Sequence, residues 1–176
     1  MRGRDHLEGH ASIEAARRYG YGTGAVSLYA GTTALHLELE KRIAAFYRCQ
    51  DAILFPTGYA ANVGVIAGLV RPRDTVVGDL FNHASIHDGC RLSGARLVGF
   101  AHGAMRRLER ALAEARGTGG GTLVVTDGVF SMEGDLAKLD RIHELARAHG
   151  AGVMIDEAHA LGVIGPTGRG TAGKAT

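Results

Sequence analysis

An apolar run, Gly152-Val153-Met154-Ile155, ends in Asp156, and His159 follows three positions later. An acid at the carboxyl end of a buried parallel strand sits where α/β sheets bind ligands. Such a carboxylate can receive a cationic ring nitrogen and, as a buried opposite charge, favour its protonated form. Upstream, Asn82-His83-Ala84-Ser85 places an imidazole at the head of a predicted helix, where it can lie flat against a planar heteroaromatic ring. Between the two, Asp127-Gly128-Val129-Phe130-Ser131-Met132-Glu133-Gly134-Asp135 supplies Ser131, which with His159 can reach a hydroxyl on such a ring. A fourth segment, Phe55-Pro56-Thr57-Gly58-Tyr59-Ala60-Ala61-Asn62, follows a predicted strand and opens a helix. Thr57 can cap that helix, Gly58 removes the side chain that would block a ligand, and the amides and dipole of a helix N-terminus suit a phosphate. Singly, each residue has a plainer role: Asp156 as a cap of the next turn, His83 as a satisfied polar residue, Thr57-Gly58 as an ordinary strand-to-helix turn. Their occurrence together and in order carries the functional reading.

These residues need elements to hold them. From about Asp51 onward, apolar runs at 51–55, 75–77, 96–100, 122–125 and 153–155 alternate with helical patterns, which predicts crossover connections and a mostly parallel sheet flanked by helices. Leu35, Leu39, Ile43 and Phe46 recur at helical spacing after Thr32-Thr33, a good cap. Met105, Leu108 and Leu112 mark a second helix, and Leu139, Ile142, Leu145 and Ala146 a third. The first residues, to about Arg18, read as a short helix. The expected organisation is a partial N-terminal helical segment, 1–18, and an incomplete cofactor-binding large domain, 19–176.

Composition narrows the classes. With 176 residues and 45% hydrophobic content the chain can bury a real core. The apolar stretch from Val63 to Val70 is far shorter than the ~20 residues a bilayer span requires. The opening Met1-Arg2-Gly3-Arg4-Asp5-His6 leads into no apolar segment of secretory type, so the expected setting is the cytoplasm, without membrane. A net charge of +2 gives no case for nucleic acid, and Arg106, Arg107 and Arg110 read as the solvated side of a helix. Cys49 and Cys90, far apart, indicate neither disulfide nor zinc thiolates and read as ordinary buried thiols. His83 and His87 stand four apart, but Ala84 replaces the glutamate of a His-Glu-x-x-His metalloprotease, so no metal is expected. Gly168-Arg169-Gly170-Thr171-Ala172-Gly173-Lys174 has the spacing of a nucleotide-binding P-loop, yet Ala175 stands where that loop needs a hydroxyl.

Together with Gly31-Thr32-Thr33-Ala34-Leu35-His36 and Gly162-Val163-Ile164-Gly165-Pro166-Thr167-Gly168-Arg169-Gly170, these segments resemble the α-oxoamine synthases. The likeness runs from about Tyr19 almost to the end. It implies part of the large domain of a fold-type I pyridoxal-phosphate enzyme. The activity implied is condensation of an amino acid (glycine, alanine or serine) with an acyl-coenzyme A, with decarboxylation to an aminoketone, by a homodimer. By the resemblance His83 stacks on the cofactor ring, Asp156 meets its nitrogen, Ser131 and His159 lie near its hydroxyl, and Thr57, Gly58 and Tyr59 contact its phosphate. The family's Schiff-base lysine, in a Thr-x-x-Lys setting beyond a further strand, and its carboxyl-terminal small domain are not found. Thr171-Ala172-Gly173-Lys174 matches the lysine's spacing without the strand. The expectation is a fragment without full turnover; a non-catalytic partner subunit and another fold-type I aminotransferase or lyase are the alternatives.

Overall fold

The alternation of apolar runs and helical patterns resolves into four parallel strands, β1 (Thr75–Asp79), β2 (Arg96–Phe100), β3 (Thr122–Asp127) and β4 (Gly152–Asp156), ordered β2-β1-β3-β4. Helices α3 (Gly58–Leu69), α4 (Ala84–Ser93), α5 (Met105–Arg116) and α6 (Leu139–Ala148) flank the sheet. The computed structural model describes the backbone of residues 2–174 and the side chains of residues 9–173. The chain divides into two compact units, Met1–Ala52 and Ile53–Thr176. The sheet belongs wholly to the second.

Strand side chains alternate between faces, so neighbouring valines serve two cores. Val77 and Val124 pack with Phe100, Leu108, Leu112, Ile142 and Leu145, which brings α5 and α6 to one face. Val76 and Val125 pack with Ile66, Val70, Ile86 and Cys90, which brings α3 and α4 to the other. Full burial of each such aliphatic side chain stabilises by about 1.5–3 kcal/mol. The helical spacing of Met105, Leu108 and Leu112 therefore marks a real buried stripe, while Arg106, Arg107 and Arg110 lie exposed on its back. Helices α3 and α4 approach closely at Gly89, where a Cβ would meet Ile66 Cβ at 3.1 Å and the Asn62 carbonyl at 3.2 Å. Any larger residue there would push apart the two helices that carry the site.

Two expectations are corrected. The run 51–55 pairs with no strand among the described residues: Ile53 is 72% exposed, and Phe55 folds over Gly64 of α3 instead of entering a ladder. An apolar run is strand-like only where a neighbour takes its backbone groups. Cys49 is exposed rather than buried; Cys90 is buried, and burial pushes its thiol up to about 11.

The first unit comprises α1 (Arg2–Tyr19), a π-helical turn (Ser27–Gly31) and α2 (Ala34–Tyr47). Thr33 is the N-cap of α2, its backbone N–H donating to His36 Nδ1 at 3.2 Å, and Arg48 ends the helix in the left-handed region at φ 56°. No helix among the described residues is long and apolar enough to cross a membrane.

Candidate cofactor cleft at the strand tips

From β1 the chain crosses outward to β2, and from β3 it crosses the other way to β4, so the connections diverge between β1 and β3. Ligands of open α/β sheets bind in the crevice at such a point, beyond the strands' carboxyl ends. Here three strands end in carboxylates: Asp79 on β1, Asp127 on β3 and Asp156 on β4. Asn82 ties the first two tips together, its Nδ2 donating to the Val125 carbonyl at 2.8 Å while its Oδ1 accepts from the Asp127 N–H at 3.1 Å.

A cleft of about 220 Å³ opens beyond these tips, lined by Gly58, Tyr59, Asn62, His83, Asp127, Val129, Ser131, Asp156, Ala158 and His159. Six of the sequence-derived site residues, Gly58, Tyr59, His83, Ser131, Asp156 and His159, thus face one cavity. The seventh, Thr57, is the N-cap of α3 and accepts the Ala60 N–H on its Oγ1 at 3.1 Å. Gly58 and Tyr59 are the first residues of that helix, where backbone N–H groups have no intrahelical acceptor. A Cβ at Gly58 would meet nothing within 4 Å, so the approach to those amides is open. The Tyr59 hydroxyl points to α4, donating to Asp88 Oδ2 at 2.5 Å; that hydrogen bond, with some burial, raises the phenol's pKa. An anion at this helix end would therefore meet the Tyr59 amide rather than its hydroxyl.

His83 is the N-cap of α4, and its Nδ1 accepts from the Ser85 N–H at 3.3 Å. A nitrogen that accepts carries no hydrogen, so a neutral ring holds its proton on Nε2. Ser85 Oγ lies 2.7 Å from the same Nδ1 and accepts from Asn62 Nδ2 at 2.9 Å. Asn62 Nδ2 also donates to Asp156 Oδ2 at 2.7 Å. The chain Asp156–Asn62–Ser85–His83 therefore orients the carboxylate and the imidazole together from behind. Asp156 Oδ1 accepts the Ala158 N–H at 2.9 Å, and the Asp156 carbonyl accepts the Gly128 N–H at 2.8 Å, so the acid is held rigidly at both ends. A carboxylate has about four lone-pair sites, which leaves acceptor capacity for a ring N–H.

Asp127 is only 6% exposed, and burial raises its carboxyl from 3.8 to about 6. The nearby charge of Asp156 adds to the rise, while the His83 backbone N–H, 3.4 Å from Oδ1, opposes it. Asp127, Asn62 and Ser85 were not singled out by the sequence reading. Asp127 ends its strand as Asp156 does, so the strand-tip rule would have found it. Asn62 gives no such signal, since an asparagine on a glycine- and alanine-rich helix reads as a surface residue until the fold buries it.

The P-loop spacing has a different use. Glu157 accepts the Thr171 N–H at 3.0 Å, the Ala172 N–H at 2.8 Å and the Thr171 hydroxyl at 2.8 Å. The Lys174 side chain lies outside the described residues. Among the described residues no three His, Cys, Asp or Glu side chains gather as a metal site.

The model of the aminotransferase class I and II family matches residues 6–174. The chain belongs to that family. Among its members, the chain is 53% identical over 162 residues to 8-amino-7-oxononanoate synthase of Geobacter sulfurreducens, covering 92% of this chain and 41% of that protein. It is 48% identical over 161 residues to the Lysinibacillus sphaericus protein of the same name, with the same coverage. Of the solved structures, serine palmitoyltransferase of S. paucimobilis with a bound PLP–myriocin aldimine superposes with a TM-score of 0.90 at 39% identity, covering 94% of this chain and 43% of that one. 8-Amino-7-oxononanoate synthase of Francisella tularensis follows at a TM-score of 0.77 and 30% identity, covering 93% and 44%. The chain spans about two fifths of the length of these relatives. The parallel sheet flanked by helices is thus that of the large domain of these enzymes.

Proposed function

We propose that this chain carries the pyridoxal 5'-phosphate cleft of an acyltransferase that condenses an amino acid with an acyl-coenzyme A and releases carbon dioxide and an aminoketone. The carrying observation is that Asp156 and His83 face one cleft and are braced by a single hydrogen-bonded chain through Asn62 and Ser85. The donor set fits the cofactor: an acid with spare lone pairs, an exposed imidazole, two hydroxyl-seeking groups and an unobstructed helix N-terminus. The names of the relatives support the reaction class, and the working protein is read as a homodimer of the cytoplasm, with residues 19–176 belonging to its large domain.

Bound there, pyridoxal phosphate supplies an electron sink for the charge left at an amino acid's Cα. Asp156 holds the proton on the ring nitrogen by opposite charge, which strengthens that sink. His83 would offer its face to the ring, with Nδ1 committed to Ser85. Ser131 and His159 take the ring hydroxyl, and the Gly58 and Tyr59 amides take the phosphate. Asp127, whose carboxyl burial raises to about 6, lines the same cleft as His83 and Asp156.

The test uses the complete protein: pyridoxal phosphate binding by absorbance, then coenzyme A release from candidate acyl thioesters with glycine, alanine and serine. Binding with an amino-acid-dependent thiol release supports the reading, and Asp156→Ala removes the release. Wild-type protein that takes up no pyridoxal phosphate overturns it.

A further inference from the structure

Behind the cleft, three segments far apart in sequence meet on one ring. His102, in the turn after β2, stacks on Phe81 at 4.6 Å with planes 9° apart, and meets the Phe130 ring edge-on at 4.4 Å. Its Nδ1 lies 3.1 Å from both oxygens of Asp79, and its Nε2 lies 3.3 Å from Asp135 Oδ2. Asp79 is 2% exposed and also accepts the Phe81 N–H at 2.9 Å and the Gly103 N–H at 3.0 Å. Phe81 stands two residues before His83, and Phe130 stands directly before Ser131. Phe130 and Asp135 close the loop that carries Ser131: Phe130 N–H donates to the Asp135 carbonyl at 3.0 Å, and Gly134 N–H to the Phe130 carbonyl at 2.8 Å.

Resting on the cofactor reading above, we infer that His102 is a positioning residue. Its doubly hydrogen-bonded imidazolium ties the segment bearing His83 to the loop bearing Ser131 and so sets the width of the slot between them. Both ring nitrogens face carboxylate oxygens, which only accept, so both must donate, and only the charged ring does so. A neutral ring would leave a bare lone pair against one carboxylate. Burial of the ring disfavours its charge, but the hydrogen bonds and charges of Asp135 and Asp79 outweigh it and hold the pKa above the ordinary histidine value. The other charged group at this cavity is Lys138, whose Nζ donates to the Gly103 carbonyl at 3.1 Å. A group whose pKa is raised by folding stabilises fully below its unfolded pKa and loses that contribution as pH rises through the folded one. The tie is therefore made at pH 6 and released on the alkaline side.

Asp135 is the exposed end of the tie, with a side chain 64% exposed, so Asp135→Asn leaves the fold in place. An asparagine amide can accept from Nε2–H or donate to a bare Nε2, and so suits either ring state. The probe is pyridoxamine 5'-phosphate, which lacks the aldehyde and reports the slot without lysine chemistry. Its Kd is measured by calorimetry from pH 6 to pH 9 for wild type and Asp135→Asn. The ratio of variant to wild-type Kd is expected to exceed one at pH 6, by about threefold as suits a solvent-exposed charged hydrogen bond, and to fall to one or below by pH 9. A ratio that stays constant across the range overturns the inference while wild-type binding keeps the cofactor reading. Absence of wild-type binding at every pH overturns both.

Discussion

Replacing Asp127 by asparagine separates the cost of burying a charge from every other contribution of that residue. The asparagine Oδ1 can still accept the His83 backbone N–H, and the Asp127 N–H to Asn82 is untouched, so the change removes charge and little else. In the fold the carboxyl titrates near 6, against 3.8 when unfolded. A carboxyl pKa raised by folding means that the native state binds the extra proton, so stability falls as pH rises from the unfolded value through the folded one. Above pH 7 the displacement corresponds to about 3 kcal/mol at 1.36 kcal/mol per unit, and by pH 4.5 it has shrunk to about 1 kcal/mol. Urea unfolding of wild-type and Asp127→Asn apoprotein, run in parallel from pH 4.5 to pH 7.5, cancels in the difference every titration not coupled to Asp127. The variant should gain on wild type by about 2 kcal/mol across that span. A difference that is flat with pH, or that grows toward acid, would refute the assignment of the shift to burial.

Two further outcomes follow from the geometry. Thr57→Ala removes the side-chain acceptor of the Ala60 N–H and should lower stability by about 1 kcal/mol in denaturant titration. A midpoint unchanged from wild type would show that another group caps α3. Gly128→Ala forces a methyl against Thr171 Oγ1 and within 2.9 Å of Glu157 Oε2, and should cost about 1–3 kcal/mol of overpacking, read as a lower Tm of the apoprotein. A melting temperature within one degree of wild type would show that the segment from Gly170 onward yields freely.

The sheet and its helices were legible because patterns of local period decide them. The runs at 75–77, 96–100, 122–125 and 153–155 became β1 to β4, and the spacing of Leu139, Ile142 and Leu145 became the buried face of α6. The run at 51–55 misled, since apolarity alone does not specify a ladder partner. The strand-tip rule located Asp156, yet it applies equally to Asp79 and Asp127, which Thr75-Val76-Val77-Gly78 and Thr122-Leu123-Val124-Val125-Thr126 precede in the same way. Asn62 and His102 were illegible for a different reason. Each acquires its role from partners contributed by distant segments: Asn62 from Ser85 and Asp156, His102 from Asp79, Phe81, Phe130 and Asp135. No spacing rule within one segment encodes such meetings.

Asp156 ends β4 and faces the cleft, while the next residue, Glu157, turns toward Thr171 and Ala172. The glycine-rich tail that mimics a nucleotide loop thus already grips an anion of its own. That resident guest is tethered, with an effective concentration of millimolar order or above. A free di- or triphosphate would have to evict it and break its three hydrogen bonds to Thr171 and Ala172. A protein can thereby keep a phosphate-shaped turn among nucleotides and remain indifferent to them.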